Sequence, residues 1–311
     1  MRLFDEPAAV PAGFGPSAVT IGKFDGVHLG HRAVIAQLRQ LADERGLTAA
    51  VVTFDRNPLG LVHPGTDTPA IVSMAQKAEL LAETGVDATL VLAFDEERSH
   101  QEAADFAREV LVDALHAQVV LCGADFRFGA GGAGDVDTLR SLGATLGFEV
   151  VLVDDVRLGE GRISSTRIRG LIAEGRVRGA AELLGREPAV RSTVVGGDRV
   201  GRELGYPTAN LDPARLEGLL PADGVYACWA LVGGGVYGAA VSIGNNPTFD
   251  GVPEHQVEAH LLDQSLDLYG SVLELRFVDY VRPMLKFDGV DELIEALRRD
   301  DVAIRGILGA P

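Results

Sequence analysis

Two periodicities follow one another along this chain, and their order limits the fold more than any other feature. As far as residue 153, short Val-rich runs at 17–21, 48–54, 88–94, 119–123 and 149–153 have the length and turn-residue borders of buried strands. Between them, 31–45, 73–84, 101–116 and 135–146 carry helical spacing; in the first, Val34, Leu38 and Leu41 fall on one face. Strands alternating with helices of this length predict a parallel sheet covered on both faces. Two shorter helices, 166–174 and 177–184, are expected to close this part.

The alternation breaks at Gly185-Arg186-Glu187-Pro188. Beyond it, strand-like runs at 190–195, 225–231, 236–243, 256–262 and 272–280 follow one another, with a hairpin signal at Gly233-Gly234-Gly235. Serial antiparallel strands favour a closed barrel, which removes exposed edges. A last helix, 290–299, is predicted to pack through Leu293 and Leu297. The expected fold is therefore α/β: an N-terminal parallel-sheet domain over 1–185 and an antiparallel barrel with a C-terminal helix over 186–311. A chain of 311 residues is long enough for two such cores, and its 47% hydrophobic content is spread through both.

The net charge of −17 argues against nucleic-acid or acidic-membrane partners, which need a broad basic face. A small anionic substrate needs only local cations. Lysine occurs at Lys23, Lys77 and Lys286 alone, and a dense arginine group runs from Arg157 to Arg202. Arginine is the better fork for phosphate oxygens. No apolar run is long enough to cross a membrane, and the first fifteen residues lack the order of a signal peptide, so a cytoplasmic enzyme is expected. Cys122 and Cys228 lie in separate apolar runs and read as buried, unpaired thiols.

The most informative stretch is Thr20-Ile21-Gly22-Lys23-Phe24-Asp25-Gly26-Val27-His28-Leu29-Gly30-His31. A buried strand ends at Ile21, a glycine-containing turn follows, and a helix opens near His31. Backbone N–H groups at such a helix start favour anions, and Gly22, Gly26 and Gly30 let the chain approach a phosphate closely. His28 and His31, three apart, project toward one point. Phosphorus displacement asks mainly for positioning and preorganised donors, which two imidazoles and several N–H groups supply. A solvated pair on the helix, or half a zinc site, is the plainer reading of His-x-x-His; zinc would need further ligands at the right spacing, and none follows.

A second segment, Ile163-Ser164-Ser165-Thr166-Arg167-Ile168-Arg169, sets hydroxyl residues before a short helix, as ordinary capping does. Capping does not explain arginines in the first turn, where the helix dipole disfavours cations. A bound anion resolves the conflict. Ser164, Thr166 and Arg169 are phosphate-binding candidates, and Arg167 is the candidate to hold a leaving pyrophosphate. In the second half, Gly197, Gly201 and Gly205, with Arg202 among them, form a loop able to wrap phosphates. Thr208 and Asn210 follow on one side of an extended chain and offer neutral oxygens of the kind Mg²⁺ accepts. An Asn/Pro turn beside a strand is the alternative. Strand period puts Glu258, His260 and Leu262 on one face, opposite Val257, Ala259 and Leu261. Glu258 is then either a solvated carboxylate or a general base for an alcohol attacking a γ-phosphate.

The His28-to-His31 motif with the Ser164-to-Arg169 segment resembles the nucleotidyltransferase superfamily with Rossmann-like sheets. The Phe24-Asp25-Gly26-Val27 turn, the Asp125-Phe126-Arg127-Phe128-Gly129 run and everything after Leu184 resemble one branch of it, the bacterial bifunctional riboflavin kinase/FMN adenylyltransferase (FAD synthetase) family. That resemblance covers nearly the whole chain. It implies phosphorylation of riboflavin by ATP to FMN in the second half, and adenylylation of FMN to FAD in the first, with Mg²⁺ on the ATP phosphates. It also implies that Phe24, Asp25 and Asp125 line the nucleotide site. Thr208 and Asn210 become magnesium ligands, and Glu258 becomes the base. Asp223-Gly224-Val225-Tyr226 and Ser242-Ile243-Gly244-Asn245-Asn246-Pro247-Thr248-Phe249 match as well.

Three departures stand against the family pattern. Phe54-Asp55-Arg56-Asn57-Pro58 replaces a usual Phe-Asp/Glu-Pro-His-Pro, which puts Asn57 where an imidazole would border the flavin. Arg191-Ser192 replaces a usual glycine, and Val200 stands where Arg or Gly is common. Two other readings compete: nucleotidyl transfer to a different phosphorylated acceptor, and a flavin-binding protein with an inactive kinase half.

Overall fold

The structure is a computed structural model and describes residues 1–57, 68–154, 157–158, 161–196, 205–244 and 256–309. The chain forms two compact units, Met1–Ser164 and Ser165–Pro311.

In the first unit, six parallel strands form one sheet: β1 (Arg2–Phe4), β2 (Ser17–Ile21), β3 (Thr48–Phe54), β4 (Ala88–Leu92), β5 (Ala117–Gly123) and β6 (Glu149–Val153), in the order β1-β4-β3-β2-β5-β6. The chain winds outward from β2 through β3 to β4, then returns to the other side of β2 as β5. The strand order therefore reverses between β2 and β5, and open sheets of this kind bind ligands beside the carboxyl ends at that reversal. The helices are α1 (Leu29–Arg45), α2 (Met74–Glu83), α3 (Glu96–Ser99), α4 (103–114) and α5 (Val136–Leu146). Every residue of β2 is buried, so apolar clusters lie on both faces of the sheet.

Three details differ from the sequence reading. The seam of α1 is Ile35, Leu38 and Ala42, with Val34 and Leu41 only partly buried at its side. The helix expected over 101–116 begins as an α-turn at Ala103–Phe106 and widens to π-helical spacing over Ala107–Ala114. The edge strand β1 has too few residues to show a period, and no sequence signal announced it.

The second unit opens with α6 (Ser165–Ala173) and α7 (Val177–Leu184), which pack with the barrel unit. Strands β9 (Ala189–Val195), β10 (Ala209–Leu211), β11 (Gly224–Val232), β12 (Gly235–Gly244), β13 (Gln256–Leu261) and β14 (Val272–Arg282) close in the order β10-β13-β12-β11-β14-β9, all antiparallel. A small antiparallel pair of β7 (Arg157–Leu158) and β8 (Gly161–Arg162) precedes them in the first unit. Five of the six barrel strands were legible; the three-residue β10 supplies the closure. The barrel is filled by Val190, Val194, Val241, Ala259, Leu273 and Phe277, with Cys228 unpaired among them. Helix α8 (Val290–Leu308) runs nine residues beyond the 290–299 read from sequence. It is buried through Ala296, Asp300 and Ile304, with Leu293 and Leu297 at the margin.

Candidate active sites

β2 delivers Ile21 to the carboxyl edge of the first sheet, and the next residues turn the chain into α1. The turn is strained: Phe24, Gly26 and Val27 have φ of 47°, 79° and 38°. Glycine takes such angles freely, but a β-branched valine there costs about 1–3 kcal/mol. Burial holds the turn in place, since Phe24 and Val27 are packed in the cluster with Ile35, Leu38 and Val51. Hydrogen bonds add to it. The Thr53 hydroxyl donates to the Lys23 carbonyl at 3.0 Å, and Asp25 Oδ1 accepts the Ile71 N–H at 2.9 Å.

The turn ends on His28, the N-cap of α1, whose Nδ1 accepts the His31 backbone N–H at 3.2 Å. In the neutral ring this leaves the proton on Nε2, as a donor. The His28 and His31 rings stack with centroids 3.5 Å apart and planes 13° from parallel, and Phe24 meets His31 edge-on at 5.1 Å. A Cβ on Gly30 would stand 3.1 Å from His28 Cε1, so the absence of a side chain there keeps room for the imidazole. Likewise, a Cβ on Gly22 would press on the Phe24 ring at 3.0 Å. His31 Nδ1 is buried and has no hydrogen-bond partner among the described residues. Burial first, then the neighbouring His28 ring and the Lys77 ammonium, hold the His31 imidazole well below its ordinary pKa. His31 is thus held neutral at pH 7, with an orphaned nitrogen that costs about 1–3 kcal/mol.

Around this turn lie the ends of neighbouring strands. After β3, Asp55 Oδ1 accepts the Phe94 N–H at 2.9 Å, exposed Arg56 pairs with Asp55, and Asn57 Nδ2 donates to Thr68 Oγ1 at 2.8 Å. After β5, Asp125 pairs with Arg162 at 2.6 Å, which holds its carboxyl below the usual range. Phe126 and Phe128 stack at 5.4 Å, and Phe128 is buried in the sheet core, so these aromatics fasten the loop. Ser164 ends the first unit. Thr166, Arg167 and Arg169 lie in the first turns of α6 in the second.

In the barrel, Asn210 of β10 stands directly opposite Glu258 of β13, and Ser242 of β12 stands opposite Glu258 on the other side. Facing residues in such ladders have Cβ atoms about 4.5–5.5 Å apart, so the three polar side chains form one row. Val257, Ala259 and Leu261 belong to the barrel core, while Glu258 and His260 are half-buried on the opposite face. His260 Nδ1 lies 2.9 Å from the Pro207 carbonyl, next to Thr208. Gly205 has φ of 84°, which suits glycine. Gly197, Gly201 and Arg202, together with Val200 and the 245–249 part of the second matching run, lie outside the described residues.

Residues 12–167 match the family model described as FAD synthetase, and residues 184–308 match the one described as riboflavin kinase. The bifunctional riboflavin kinase/FMN adenylyltransferase of Listeria monocytogenes is 38% identical, over 91% of this chain and 90% of its own. The enzyme of the same name from Escherichia coli K12 is 36% identical, over 94% and 92%. The chain belongs to the bifunctional riboflavin kinase/FMN adenylyltransferase family. A crystal structure described as a macrolide-efflux protein from Streptococcus pneumoniae also superimposes, with TM-score 0.87 and 32% identity over 97% of this chain and 98% of that one. Among the described residues no helix is long and apolar enough to cross a membrane.

Within this family pattern, the Arg191-Ser192 departure has a structural account. The Arg191 guanidinium pairs with Glu217 at 2.8 Å, and the two residues also exchange backbone hydrogen bonds of 2.9 and 2.8 Å. Ser192 is buried and its hydroxyl donates to the Asp212 carbonyl at 2.7 Å. Both side chains therefore fasten β9 to the segment after β10. The arginine group is less concentrated than its spacing suggested, since Arg162, Arg176, Arg178 and Arg191 are each ion-paired to a carboxylate. Lys77, at the centre of the first site, was missed. A single lysine in an amphipathic helix reads as solvated, and only the tertiary fold buries it.

Proposed function

We propose that this chain makes FMN and then FAD from riboflavin, with residues 1–185 carrying adenylyl transfer and 186–311 carrying phosphorylation. The observation that carries the first assignment is the His28–His31 stack on the strained, buried turn at the carboxyl end of β2. A phosphate oxygen of FMN attacks the α-phosphorus of ATP, the P–O bond to the β-phosphate breaks, and pyrophosphate leaves. The two imidazoles and the backbone N–H groups of the α1 start supply donors to the charge that spreads over the transferring group. Gly22, Phe24, Asp25, Gly26 and Gly30 shape the nucleotide cradle, and Asn57 and Asp125 border it. On the strength of their motif, Ser164, Thr166 and Arg169 bind phosphate and Arg167 holds the pyrophosphate.

In the barrel, the ribityl hydroxyl attacks the γ-phosphorus of ATP, its proton passes to Glu258, and ADP leaves. The Asn210–Glu258 register supports this assignment. Gly197, Gly201, Arg202 and Gly205 are assigned to the ATP phosphates. Neutral oxygens beside a carboxylate suit Mg²⁺, so Thr208 and Asn210 are its proposed ligands, and the ion would offset phosphate charge. The substrates and products are riboflavin, FMN, FAD and ATP, and the enzyme is placed in the cytoplasm.

Chromatography of products from riboflavin, ATP and Mg²⁺, and in parallel from FMN, ATP and Mg²⁺, tests the whole reading. FMN followed by FAD in the first mixture and FAD in the second are expected. Absence of any flavin product in both would return the first unit to a different phosphorylated acceptor. Loss of one donor gives the site test: His31→Ala should lower FAD formation about 10²–10³-fold and leave FMN formation unchanged. Full FAD synthesis by that variant would overturn the assignment.

A further inference from the structure

Helix α2 begins with a reciprocal cap: Ser73 Oγ accepts the Gln76 N–H at 3.1 Å, and Gln76 Oε1 accepts the Ser73 N–H at 2.9 Å. This fixes the helix start and sets the next residue, Lys77, inward, where it is only 7% exposed. Its Nζ donates to the Phe54 carbonyl at 3.1 Å, the last residue of β3. Asp25 on the strained turn after β2 and Asp55 on the loop after β3 are its counter-charges. Each carboxylate is itself tied down, Asp25 by the Ile71 N–H just before α2 and Asp55 by the Phe94 N–H just after β4. One ammonium is thus hydrogen-bonded to the end of β3 and lies in the field of the carboxylates that follow β2 and β3, at the sheet edge where His31 stands, and its charge also reaches His31.

Burying an ammonium is costly, and a methionine would fill similar space without that cost. A charge kept in such a place, among two carboxylates and beside a catalytic imidazole, points to a role in the site.

We propose that Lys77 is a positioning residue for adenylyl transfer: its ammonium holds the Asp25 turn and the Asp55 loop together and sets a fixed positive charge behind His31. The proposal rests on the reading of the first unit as the adenylyltransferase. Lys77 acts through Asp25, Asp55 and His31 and forms no bond to the reacting atoms.

Two neutral variants of the full chain test it. Lys77→Met removes both charge and hydrogen bond, while Lys77→Gln can still donate to the Phe54 carbonyl. Both should lower FAD formation from FMN and ATP about 10²-fold, as small misplacements of a reacting group do. FMN formation from riboflavin should stay at the wild-type rate, and circular dichroism with the melting temperature of the first unit serves as the folding control. A readout that a merely structural role would not move is the acid limb of the FAD-forming rate. The groups facing His31 are His28 and Lys77, with Asp25 and Asp55 beyond Lys77. Removing the cation makes His31 easier to protonate, so the acid limb should move to higher pH in both variants. Should Lys77→Met fail to fold, Lys77→Gln decides. Wild-type FAD formation in Lys77→Gln, or a loss with the acid limb unmoved, overturns the proposal. Unchanged FAD formation in His31→Ala would instead remove the reading on which it rests.

Discussion

His31 is where burial, strain and charge meet on one side chain. Its folded pKa is held below the ordinary value of 6.5 by burial, by His28 and by Lys77. The unfolded chain therefore takes up a proton near pH 6.5 that the folded chain refuses. As pH falls below 6.5, the unfolded state binds more protons and stability drops, by up to about 1.4 kcal/mol per pH unit from this group. The drop ends once pH passes below the folded pKa. His31→Gln should lack this component, so urea midpoints of wild type and variant should converge toward pH 5.5 relative to their separation at pH 7.5. Parallel pH profiles of the two midpoints would mean that His31 is not neutral in the folded protein. At the barrel, Glu258→Ala should lower FMN formation about 10²–10⁴-fold and spare FAD synthesis from supplied FMN. An unchanged rate of FMN formation would show that Glu258 is no base.

At the scale of elements, the start of α1 separates stability from activity. A glycine-to-alanine change inside a helix ordinarily gains about 0.5–1 kcal/mol. At Gly30 the new Cβ would meet His28 at 3.1 and 3.2 Å and displace the ring. Gly30→Ala should therefore keep or raise the melting temperature while FAD formation falls about 10²-fold; equal activity would show that His28 tolerates the shift. On the barrel, Asp300 of α8 is 5% exposed and receives Arg282 of β14 through bonds of 2.9, 3.1 and 2.7 Å. Taking one partner from a buried pair strands the other charge, so Asp300→Ala should cost about 3–5 kcal/mol in denaturant titrations. These elements also show what sequence could and could not disclose. The strands β2 to β6, both short helices and five barrel strands carry their burial pattern in Val and Leu spacing. β1 and β10 are too short to have a period, and the π-helical widening in α4 follows from packing. The histidine pair was legible because glycine, strand end and helix start coincide at it. Lys77 was not, because its meaning depends on Asp25 and Asp55, which are far from it in sequence. Glu258 lay between, with strand period giving its face and only the β10–β13 register giving its neighbour Asn210.

For the molecule as a whole, the consequential point is that His28 and His31 lie in the compact unit Met1–Ser164 and Glu258 in the unit Ser165–Pro311, which also holds Thr166, Arg167 and Arg169, while the product of one proposed activity is the substrate of the other. Each histidine and carboxylate assigned to chemistry acts within its own unit, so inactivating one should leave the other intact. A chain carrying His31→Ala should stop at FMN when given riboflavin, and a chain carrying Glu258→Ala should make FAD only from supplied FMN. Mixing the two variants then asks how FMN travels. If FMN is released to solution, the mixture converts riboflavin to FAD after a lag during which free FMN accumulates, and the lag shortens as the Glu258→Ala partner is increased. Mass action requires this, because the FMN made by phosphorylation must reach the binding constant of the adenylyl-transfer site in bulk before adenylylation runs at speed. The double variant should make neither product and sets the baseline. FAD formation by wild type with no lag, alongside a long lag in the mixture, would show instead that FMN passes between the two activities without equilibrating with solvent.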